Sequence, residues 1–356
     1  MSFLQLKQRD ILSLRTEYYL EGNNTNSKSL ASVVFTCYSL SRLNDIEELL
    51  LKLKHQTYAT YEIVIVIESS VKLLEKIQSF IKKNAMLNVK TVFTKEILGL
   101  SGARNLGVKE ANGEYIAIID DDAVPTTEWL EQAVNCLNIS STVIGATGPA
   151  IPLWKDKPLE WLPLELQWII GATTWWDKKG ICDVRHAWGM NLAFKREAFI
   201  KCYGFSENHG LKKGEEEGIK RFPHEDVEFS LRVRRTTRKR ILYNPKMIVY
   251  HKVTSRKMNI KFFAKHAYVQ GFAKRMVKEI TNQYSDLPNC EKSLDREYDV
   301  LGRIFTVLVP SAIREMTEKP AMSMRKLLTT SVILFFLAAG YFSPFYFVVK
   351  ANQEKA

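Results

Sequence analysis

Short apolar runs alternate with amphipathic stretches over the first third of the chain. The apolar runs are nearly continuous, which is typical of strands that are buried on both faces of a parallel sheet. The stretches between them repeat apolar residues at helical spacing. The pattern predicts strands at 32–38, 61–68, 89–93 and 115–119 and helices at 42–56, 71–83 and 101–111. This alternation predicts an α/β domain built with right-handed crossovers.

The strand at 115–119 ends in three carboxylates, Asp120, Asp121 and Asp122. The carboxyl end of a central strand is where an open α/β sheet places a ligand. Hard oxygen ligands suit Mg²⁺ or Mn²⁺, and Mg²⁺ usually binds one or two carboxylates together with substrate phosphates. The stretch therefore predicts a metal–diphosphate site. The alternative is that Asp122 only ends the strand and caps the helix predicted at 126–137.

Polar side chains also follow the first two strands, and a glycine-rich stretch leads into the third helix. Tyr38 follows the first strand, and Glu68 ends the second, where a carboxylate can accept a hydrogen bond from a ribose or a base. A simple strand-terminating turn is the alternative. Arg104 and Asn105 are predicted near a helix start, where backbone N–H groups favour anions. The motifs of dinucleotide-binding folds and P-loop NTPases do not follow the first strand.

The charge of the chain favours an anionic partner. Its net charge is +12 and its pI is about 9.3, which suits a nucleic acid, a phosphate-rich substrate or an acidic lipid surface. Six basic residues crowd into Arg232–Arg240, but no aromatic residues interleave them and no recognised module accompanies them, which argues against nucleic acid. The run is then a solvated face or a contact for anionic lipid headgroups. Five scattered cysteines predict neither a disulfide framework nor a zinc site.

Six of the seven tryptophans fall between residues 150 and 190. Tryptophan suits a surface that is apolar on one side and wet on the other, such as a sugar platform or a membrane interface. A small aromatic core laid over the sheet is the alternative. These tryptophans are Trp154, Trp161, Trp168, Trp175, Trp176 and Trp188.

An acidic pair and a histidine carry the remaining candidate chemistry. Glu225 and Asp226 are predicted in the first turn of a helix, where they could supply a general base or simply favour the helix N-terminus. His251 ends a strand predicted at 248–251, as either a structural residue or a ligand. The charged loop at 210–218 lies between glycines and is a candidate lid.

The C-terminal part predicts attachment to a membrane. A basic amphipathic helix is predicted at 259–279, and residues 301–313 are apolar enough to lie in an interface. Residues 327–349 run without a charge for 23 positions, long enough to span a bilayer. Arg325 and Lys326 precede that run, which predicts a cytoplasmic catalytic domain. A buried core helix or a re-entrant hairpin is the alternative.

Several of these segments resemble family 2 glycosyltransferases of the GT-A fold. The matching segments, in the order that the family shows, are 32–39, 55–58, 99–107, 112–122 and 189–194. The resemblance implies an α/β, Rossmann-like, mostly parallel sheet flanked by helices, followed by a C-terminal helical membrane-attachment region. It divides the chain into an N-terminal extension (1–30), a GT-A catalytic domain (31–258), an amphipathic helical region (259–320) and a transmembrane helix (327–349).

The resemblance also implies roles for particular residues. Asp226, supported by Glu225, would be the catalytic base. The implied metal ligands for Mn²⁺ or Mg²⁺ are Asp120, Asp122 and His251. The implied nucleotide-sugar contacts are Tyr38, Glu68, Arg104, Asn105, Asp120, Asp121 and Asn191. Family members more often carry Asp where this chain has Glu68.

A narrower group is also similar to this chain, namely the archaeal family 2 enzymes that extend dolichyl-phosphate-linked glycans, including glucosyl-dolichyl phosphate glucuronosyltransferases. The similarity is carried by Trp161-Leu-Pro, Trp168-Ile-Ile-Gly, Val184-Arg185 and the Gly340-Tyr341 tail. It implies a metal-dependent inverting hexosyl- or glucuronosyltransferase that moves sugar from a nucleotide-sugar to a lipid-linked acceptor. The alternatives are a polyprenyl-phosphate monosaccharide synthase and a non-catalytic, membrane-tethered nucleotide-sugar-binding protein.

Overall fold

The computed structural model describes residues 29–176, 178–208, 224–254, 258–283 and 295–344. The predicted lid at 210–218, residues 1–28 of the predicted N-terminal extension and the end of the predicted span at 345–349 lie outside the described residues.

Eight strands form the central sheet, in the order β3-β2-β1-β4-β9-β6-β10-β8. The four strands predicted in the first third of the chain are present within one residue of their expected ends and pair in parallel. β9 is antiparallel to both β4 and β6, and β8 is antiparallel to β10, so four of the seven neighbouring pairs are parallel. The strands are β1 (Ala31–Cys37), β2 (Tyr61–Glu68), β3 (Val89–Thr94), β4 (Tyr115–Ile119), β5 (Ala123–Pro125), β6 (Val143–Thr147), β7 (Ala150–Trp154), β8 (Cys182–Val184), β9 (Asn191–Lys195), β10 (Arg240–Tyr243) and β11 (Val249–Val253).

Helices cover both faces of this sheet and continue beyond it. They are α1 (Leu43–Lys54), α2 (Val71–Lys83), α3 (Gly99–Glu110), α4 (Trp129–Leu137), α5 (Arg196–Cys202), α6 (Glu225–Thr237), α7 (Ile260–Gln283), α8 (Asp295–Arg303), α9 (Val309–Glu315) and α10 (Pro320–Tyr341). α4 begins three residues after its predicted start because Thr126 accepts from the Trp129 amide in a turn before the helix. β9 begins at Asn191 rather than at Trp188, because the Asn191 amide donates to the Trp188 carbonyl and closes a turn.

Two apolar cores lie on opposite sides of the sheet. Val33, Phe35 and Ile65 point into one core, while Val34 and Val64 point into the other, as the alternation of side chains along a strand requires. α3 lies close to the second face because Gly107 has no side chain. A Cβ at Gly107 would overlap the Val34 side chain. Gly107 therefore allows the backbone of α3 to approach the sheet closely.

A second, three-stranded sheet has the order β5-β11-β7. β5 follows the carboxylate triplet directly, and β11 pairs with it antiparallel, with His251 opposite Ala123. The Lys252 amide donates to the Asp122 carbonyl at 3.0 Å, which extends this pairing by one residue. The small sheet therefore brings a late segment of the chain to the carboxyl end of β4.

The C-terminal helices pack against the sheet-covering segment rather than standing apart from it. Trp161, Leu166 and Ile169 form a third apolar core with Phe263 of α7 and Ile333 of α10. Of the described helices, α10 alone is long and apolar enough to cross a membrane, with 22 % of the residues in its apolar window buried. A single helix of this kind is a weak sign of membrane association. The domain boundaries drawn from the sequence stay a prediction.

Candidate active site

The carboxylate triplet lies at the carboxyl end of β4, where two cationic or metal-binding side chains meet Asp122. Arg42 donates from Nη1 to Asp122 Oδ2 at 2.8 Å, and His251 Nε2 lies 3.5 Å from the same oxygen. Asp122 and His251 are buried, whereas the Asp120 side chain is 34 % exposed. The Asp120 carboxylate is thus accessible from outside, whereas the Asp122 carboxylate is buried beside the His251 imidazole.

The middle carboxylate of the triplet has a strongly perturbed affinity for protons. The pKa of Asp121 is raised to about 7, chiefly by burial and next by the charge of Asp122, while the Arg42 guanidinium opposes the rise. Neighbouring carboxylates repel each other in a site of low polarity. A cation between them would relieve this repulsion.

A buried arginine joins the triplet to the acidic pair of α6. Arg104, 2 % exposed, donates from Nη1 to Glu225 Oε1 at 2.7 Å and from Nη2 to Asp120 Oδ1 at 2.9 Å. Nη2 also donates to the Gly189 carbonyl at 3.0 Å. The planar guanidinium with its five N–H groups can hold three acceptors in fixed directions, which an ammonium cannot. Arg104, a predicted site residue, therefore lies inside the site. It joins the carboxylates of Asp120 and Glu225, which are far apart in the sequence.

The acidic pair lies at the start of α6, as predicted. Asp226 accepts from the Gly189 amide through Oδ2 at 2.7 Å and from the Val227 amide through Oδ1 at 2.9 Å. Burial raises the pKa of Asp226, and hydrogen bonds from the Gly189 amide and the attraction of Arg104 oppose that rise. Burial likewise raises the pKa of Glu225, with Arg104 opposing it. Both carboxyl groups therefore hold protons more tightly than exposed ones do.

The residue before this pair connects the site to the C-terminal helices. His224 adopts a left-handed backbone conformation with φ 67°, a strained state for a residue with a side chain. Its Nε2 lies 3.0 Å from Gln270 Oε1 of α7, and its Nδ1 lies 3.9 Å from Asp226 Oδ1. Burial and the charge of Lys274 lower the pKa of His224 to about 3, so the ring is neutral.

Glu68 has a structural partner at the start of α3. Its Oε1 accepts from the Leu98 amide at 2.6 Å and from the Gly99 amide at 3.1 Å. These are the N–H groups that a helix leaves unpaired at its N-terminus. The helix start that was expected to favour an anion is thus occupied by a carboxylate of this chain. Direct contact of Glu68 with a ribose or base stays a prediction.

The geometry does not favour ligand contacts for the two predicted asparagines. The fully buried Asn191 donates its amide hydrogens to the carbonyls of Met247 and Pro149 and accepts from Trp129 Nε1. Asn105 forms two hydrogen bonds with the backbone of Phe205. Both side chains position neighbouring segments, and their predicted contact with a nucleotide-sugar stays a prediction. A short motif shows which residue type is present but not which way it points.

Tyr38 stands at the end of β1 with 47 % of its surface exposed. It remains accessible to a ligand, and its predicted contact stays a prediction. Arg256 and Lys257, which follow His251 closely in the sequence and are further candidate site residues, lie outside the described residues.

The donor set suits a divalent cation that a bound phosphate completes. Within the described ranges, no three His, Cys, Asp or Glu side chains converge as a ready-made metal cage. Asp122 and His251 offer two adjacent donors, and the partly exposed Asp120, two residues before Asp122, offers a third. A site with few protein ligands is what Mg²⁺ or Mn²⁺ uses when substrate phosphates and water fill its shell.

The sequence pattern did not assign two residues to the site that the structure brings there. Arg42 follows the first strand closely, and that position is the one signal that the sequence offers for it. Gln270 comes from the amphipathic α7, and nothing in that helix marks it as a neighbour of the acidic pair.

Comparison with known proteins agrees with this geometry. Residues 32–202 match the model of glycosyl transferase family 2. The chain is 26 % identical over 314 residues to a glucosyl-dolichyl phosphate glucuronosyltransferase of Haloferax volcanii. The aligned region covers 87 % of this chain and 94 % of that protein.

Solved structures show the same fold at low sequence identity. A mannosyltransferase from Pyrobaculum calidifontis, in complex with GDP-Man and Mn²⁺, superposes with a TM-score of 0.54 at 16 % identity over 99 % of this chain and 96 % of that one. GalNAc-T7 with UDP, GalNAc and Mn²⁺ superposes with a TM-score of 0.50 at 17 % identity. That match covers 78 % of this chain and 58 % of the other.

The fold and the catalytic family agree, and they make the chain a glycosyltransferase with the GT-A fold. It resembles glycosyltransferase family 2, whose model its residues 32–202 match, and it is similar to the glucosyl-dolichyl phosphate glucuronosyltransferase.

Proposed function

We propose that the chain is a metal-dependent, inverting glycosyltransferase that moves a sugar from a nucleotide-sugar to a polyprenyl- or dolichyl-phosphate-linked glycan. One observation carries the proposal: Arg104 holds Asp120 at 2.9 Å and Glu225 at 2.7 Å. This contact supports a single cleft in which the carboxylate triplet serves the donor and the acidic pair of α6 serves the acceptor.

On the donor side, Asp120, Asp122 and His251 would hold Mn²⁺ or Mg²⁺. The bound cation would neutralise the charge that develops on the leaving diphosphate. Tyr38 and Asp121 border the same end of the sheet and are proposed to contact the nucleotide. Arg104 keeps Asp120 oriented, because its second nitrogen fixes that carboxylate.

On the acceptor side, Asp226 is the proposed general base. In an inverting transfer, an acceptor hydroxyl attacks the anomeric carbon, and a carboxylate takes the hydroxyl proton. Burial raises the pKa of Asp226, which makes it a stronger base than an exposed aspartate. The Gly189 amide fixes one of its oxygens at 2.7 Å. Glu225 would support it through the shared Arg104.

A lipid-linked acceptor is proposed from two independent supports. The relative that aligns with most of this chain is a glucosyl-dolichyl phosphate glucuronosyltransferase. The C-terminal helical segments also present large apolar side chains to solvent. Exposed examples are Phe305, Ile313, Met324, Leu328 and Phe335.

The proposed arrangement in the cell follows from these helices. Residues 31–258 would be the catalytic domain, 259–320 an amphipathic region and 327–349 a single membrane span, with the catalytic domain in the cytoplasm of a cell-membrane protein. The basic residues ahead of the span support that orientation. Two closely packed glycines, Gly271 and Gly340, support tight association of α7 with α10, as small residues do in membrane helices.

A panel of nucleotide-sugars with Mn²⁺ tests the donor assignment. A ligand at 100 times its Kd stabilises the folded chain by about 2.7 kcal/mol, so a true donor should raise the melting temperature only in the presence of metal. The stabilising donor is then offered with bare dolichyl phosphate or with a glycosylated dolichyl phosphate. Transfer to the glycosylated lipid is the expected result. Transfer only to the bare lipid would identify a polyprenyl-phosphate monosaccharide synthase, and metal-dependent binding without hydrolysis or transfer would identify a non-catalytic binding protein.

A further inference from the structure

Arg42 lies beside the carboxylate triplet, and only one nitrogen of its guanidinium has an acceptor among the described residues. Nη1 donates to Asp122 Oδ2 at 2.8 Å and lies 3.6 Å from Asp45 Oδ2. Nε and Nη2 donate to no described residue, and they carry three of the five N–H groups of the side chain. The donor-side roles proposed above do not include Arg42.

The guanidinium of Arg42 is accessible from solvent. The Arg42 side chain is 30 % exposed, whereas the Asp122 side chain that it contacts is 8 % exposed. Tyr38, in the same connection between β1 and α1, is also exposed, and so in part is the Asp120 side chain. Arg42 therefore presents its unused N–H groups at the open, carboxyl ends of β1 and β4 and not in the core.

A network of ion pairs holds Arg42 in place. Asp45 Oδ1 accepts from Lys252 Nζ at 3.0 Å and from Lys155 Nζ at 2.5 Å, while its Oδ2 faces Arg42. The buried Lys252 also pairs with Glu48 at 2.6 Å. Asp45 and Glu48 belong to α1, Lys252 belongs to β11, and Lys155 follows β7. Arg42 thus rests on carboxylates that both α1 and the small sheet keep in position.

A guanidinium anchored in this way is preorganised for a second acceptor. The group is planar, so a fixed Nη1 restricts the directions in which Nε and Nη2 donate. Phosphate oxygens accept two parallel N–H groups from such a fork. Less side-chain freedom is lost on binding when the side chain is already held, so the contact costs less entropy than one from a mobile arginine.

The position of Arg42 favours a diphosphate as that acceptor. Arg42 and His251 approach the same Asp122 oxygen, at 2.8 and 3.5 Å, and Asp122 and His251 are the proposed ligands of the divalent cation. A diphosphate bound to a cation there would lie beside the guanidinium. When the bond between the anomeric carbon and the diphosphate oxygen breaks, its electron pair stays on that oxygen and the leaving diphosphate gains one negative charge. A second cationic group beside the metal would stabilise this added charge.

From this geometry we propose that Arg42 binds the diphosphate of the nucleotide donor through Nε and Nη2 and stabilises it as it leaves. The proposal rests on the proposed function, since it assigns a further residue to the same donor site. A purely structural role explains the pair between Nη1 and Asp122. It does not require a guanidinium, because the same network neutralises Asp45 with two lysines.

Equilibrium binding to the full chain in detergent with Mn²⁺ tests the proposal. The probes are UDP, GDP, ADP and dTDP, and the one that binds most tightly is compared with the nucleoside of the same base. R42Q should bind that diphosphate at least about tenfold more weakly, a difference of about 1.4 kcal/mol, and the nucleoside within about twofold of the unaltered chain. R42K keeps the charge beside Asp122 but lacks the fork, so it should lose at least about threefold.

The matched control is R303Q, because Arg303 is also a partly exposed arginine on a buried carboxylate, with Nη2 3.3 Å from Glu165 Oε1. R303Q should bind the diphosphate as the unaltered chain does. The affinity of each protein for Mn²⁺ alone, measured by electron paramagnetic resonance, separates a phosphate contact from an effect on Asp122. R42Q should keep or increase that affinity, since Asp122 loses a competing cation.

Diphosphate binding by R42Q or R42K that equals binding by the unaltered chain overturns the proposal. A loss of Mn²⁺ affinity in R42Q as large as its loss of diphosphate affinity also overturns it, because the effect would then pass through the metal site. If R42Q binds normally while the unaltered chain transfers sugar, the role of Arg42 falls and the proposed function stands. If the unaltered chain binds none of the diphosphates, the proposed function falls as well.

Discussion

Arg104 and Glu225 lie 121 positions apart in the chain, and their side chains meet at 2.7 Å in the interior of the protein. The same guanidinium reaches Asp120 at 2.9 Å, so one side chain determines the spacing between the carboxylate triplet and the acidic pair of α6. The desolvation of these ions is offset only while all of them remain in place, because a buried charge without its partner is costly. This arrangement makes the site sensitive to small changes at Arg104.

R104K should therefore inactivate the enzyme even though it preserves the charge. An ammonium cannot hold Glu225, Asp120 and the Gly189 carbonyl in their present directions. Breaking a buried pair costs about 3–5 kcal/mol, so we expect a lower unfolding free energy and a loss of transfer of at least about 100-fold. Denaturant unfolding and an initial-rate assay measure the two effects. R240K, at the partly exposed pair with Asp183, is the control and should change little.

D226N should separate catalysis from binding. The amide oxygen can still accept from the Gly189 amide, and only the hydrogen bond from the Val227 amide is lost, so the fold and the binding of a nucleotide-sugar should be kept. Loss of a general base lowers the rate by about 10²- to 10⁴-fold. The matched control is D183N at the surface pair with Arg240. Turnover of D226N within a few-fold of the unaltered chain would remove Asp226 from its proposed role.

The stability of the protein should depend on pH through Glu225. Burial raises its pKa from 4.5 to about 7, so the folded chain binds more protons than the unfolded chain between those values. The contribution is present below about pH 4.5 and is lost as pH rises through about 7. E225Q has no proton to lose and should flatten that part of the profile. Denaturant unfolding of both proteins between pH 4.5 and 8 measures the difference, and parallel profiles would contradict it.

The contact between α7 and α10 should tolerate no side chain at its glycines. A Cβ at Gly340 would meet the Tyr268 carbonyl, and one at Gly271 would meet the Leu337 carbonyl. G340A should therefore lower the unfolding free energy by about 1–3 kcal/mol. G302A in α8 is the control, because nothing lies within 4 Å of its added Cβ, and it should be neutral or stabilising by about 0.5–1 kcal/mol. Equal effects of the two substitutions would show that α10 does not pack on α7 as described.

Local pattern predicted the first half of the fold well, because its strands are buried on both faces and read as plain apolar runs. β2 and α2 begin and end where the sequence placed them. The short strands β5, β6, β7, β8 and β10 were not predicted, since segments of three to five residues carry little periodicity to distinguish them from loops. β9 lies antiparallel between β4 and β6. This placement depends on tertiary contacts, which the local sequence pattern does not show.

The candidate site was likewise predictable only in part from the sequence. The carboxylates were found because acidic residues after a buried strand are visible in sequence. The proximity of His251 to Asp122 depends on the pairing of β11 with β5, whose paired residues are 124 to 128 positions apart in the chain, and the resemblance rather than the pattern indicated it. The internal hydrogen bonds of Asn191 and Asn105 were not predicted, since the direction of a side chain depends on neighbours that the sequence does not identify.

The central claim is that Asp122 and its neighbours hold a cation against a nucleotide diphosphate. Its most direct test is equilibrium binding of a nucleoside diphosphate to the full chain with and without Mn²⁺, compared between the unaltered protein and D122A, with D183N as the surface control. We predict that Mn²⁺ tightens binding by at least about tenfold in the unaltered protein and in D183N, and by less than about twofold in D122A. Metal-independent binding, or an undiminished effect of Mn²⁺ in D122A, would contradict the account.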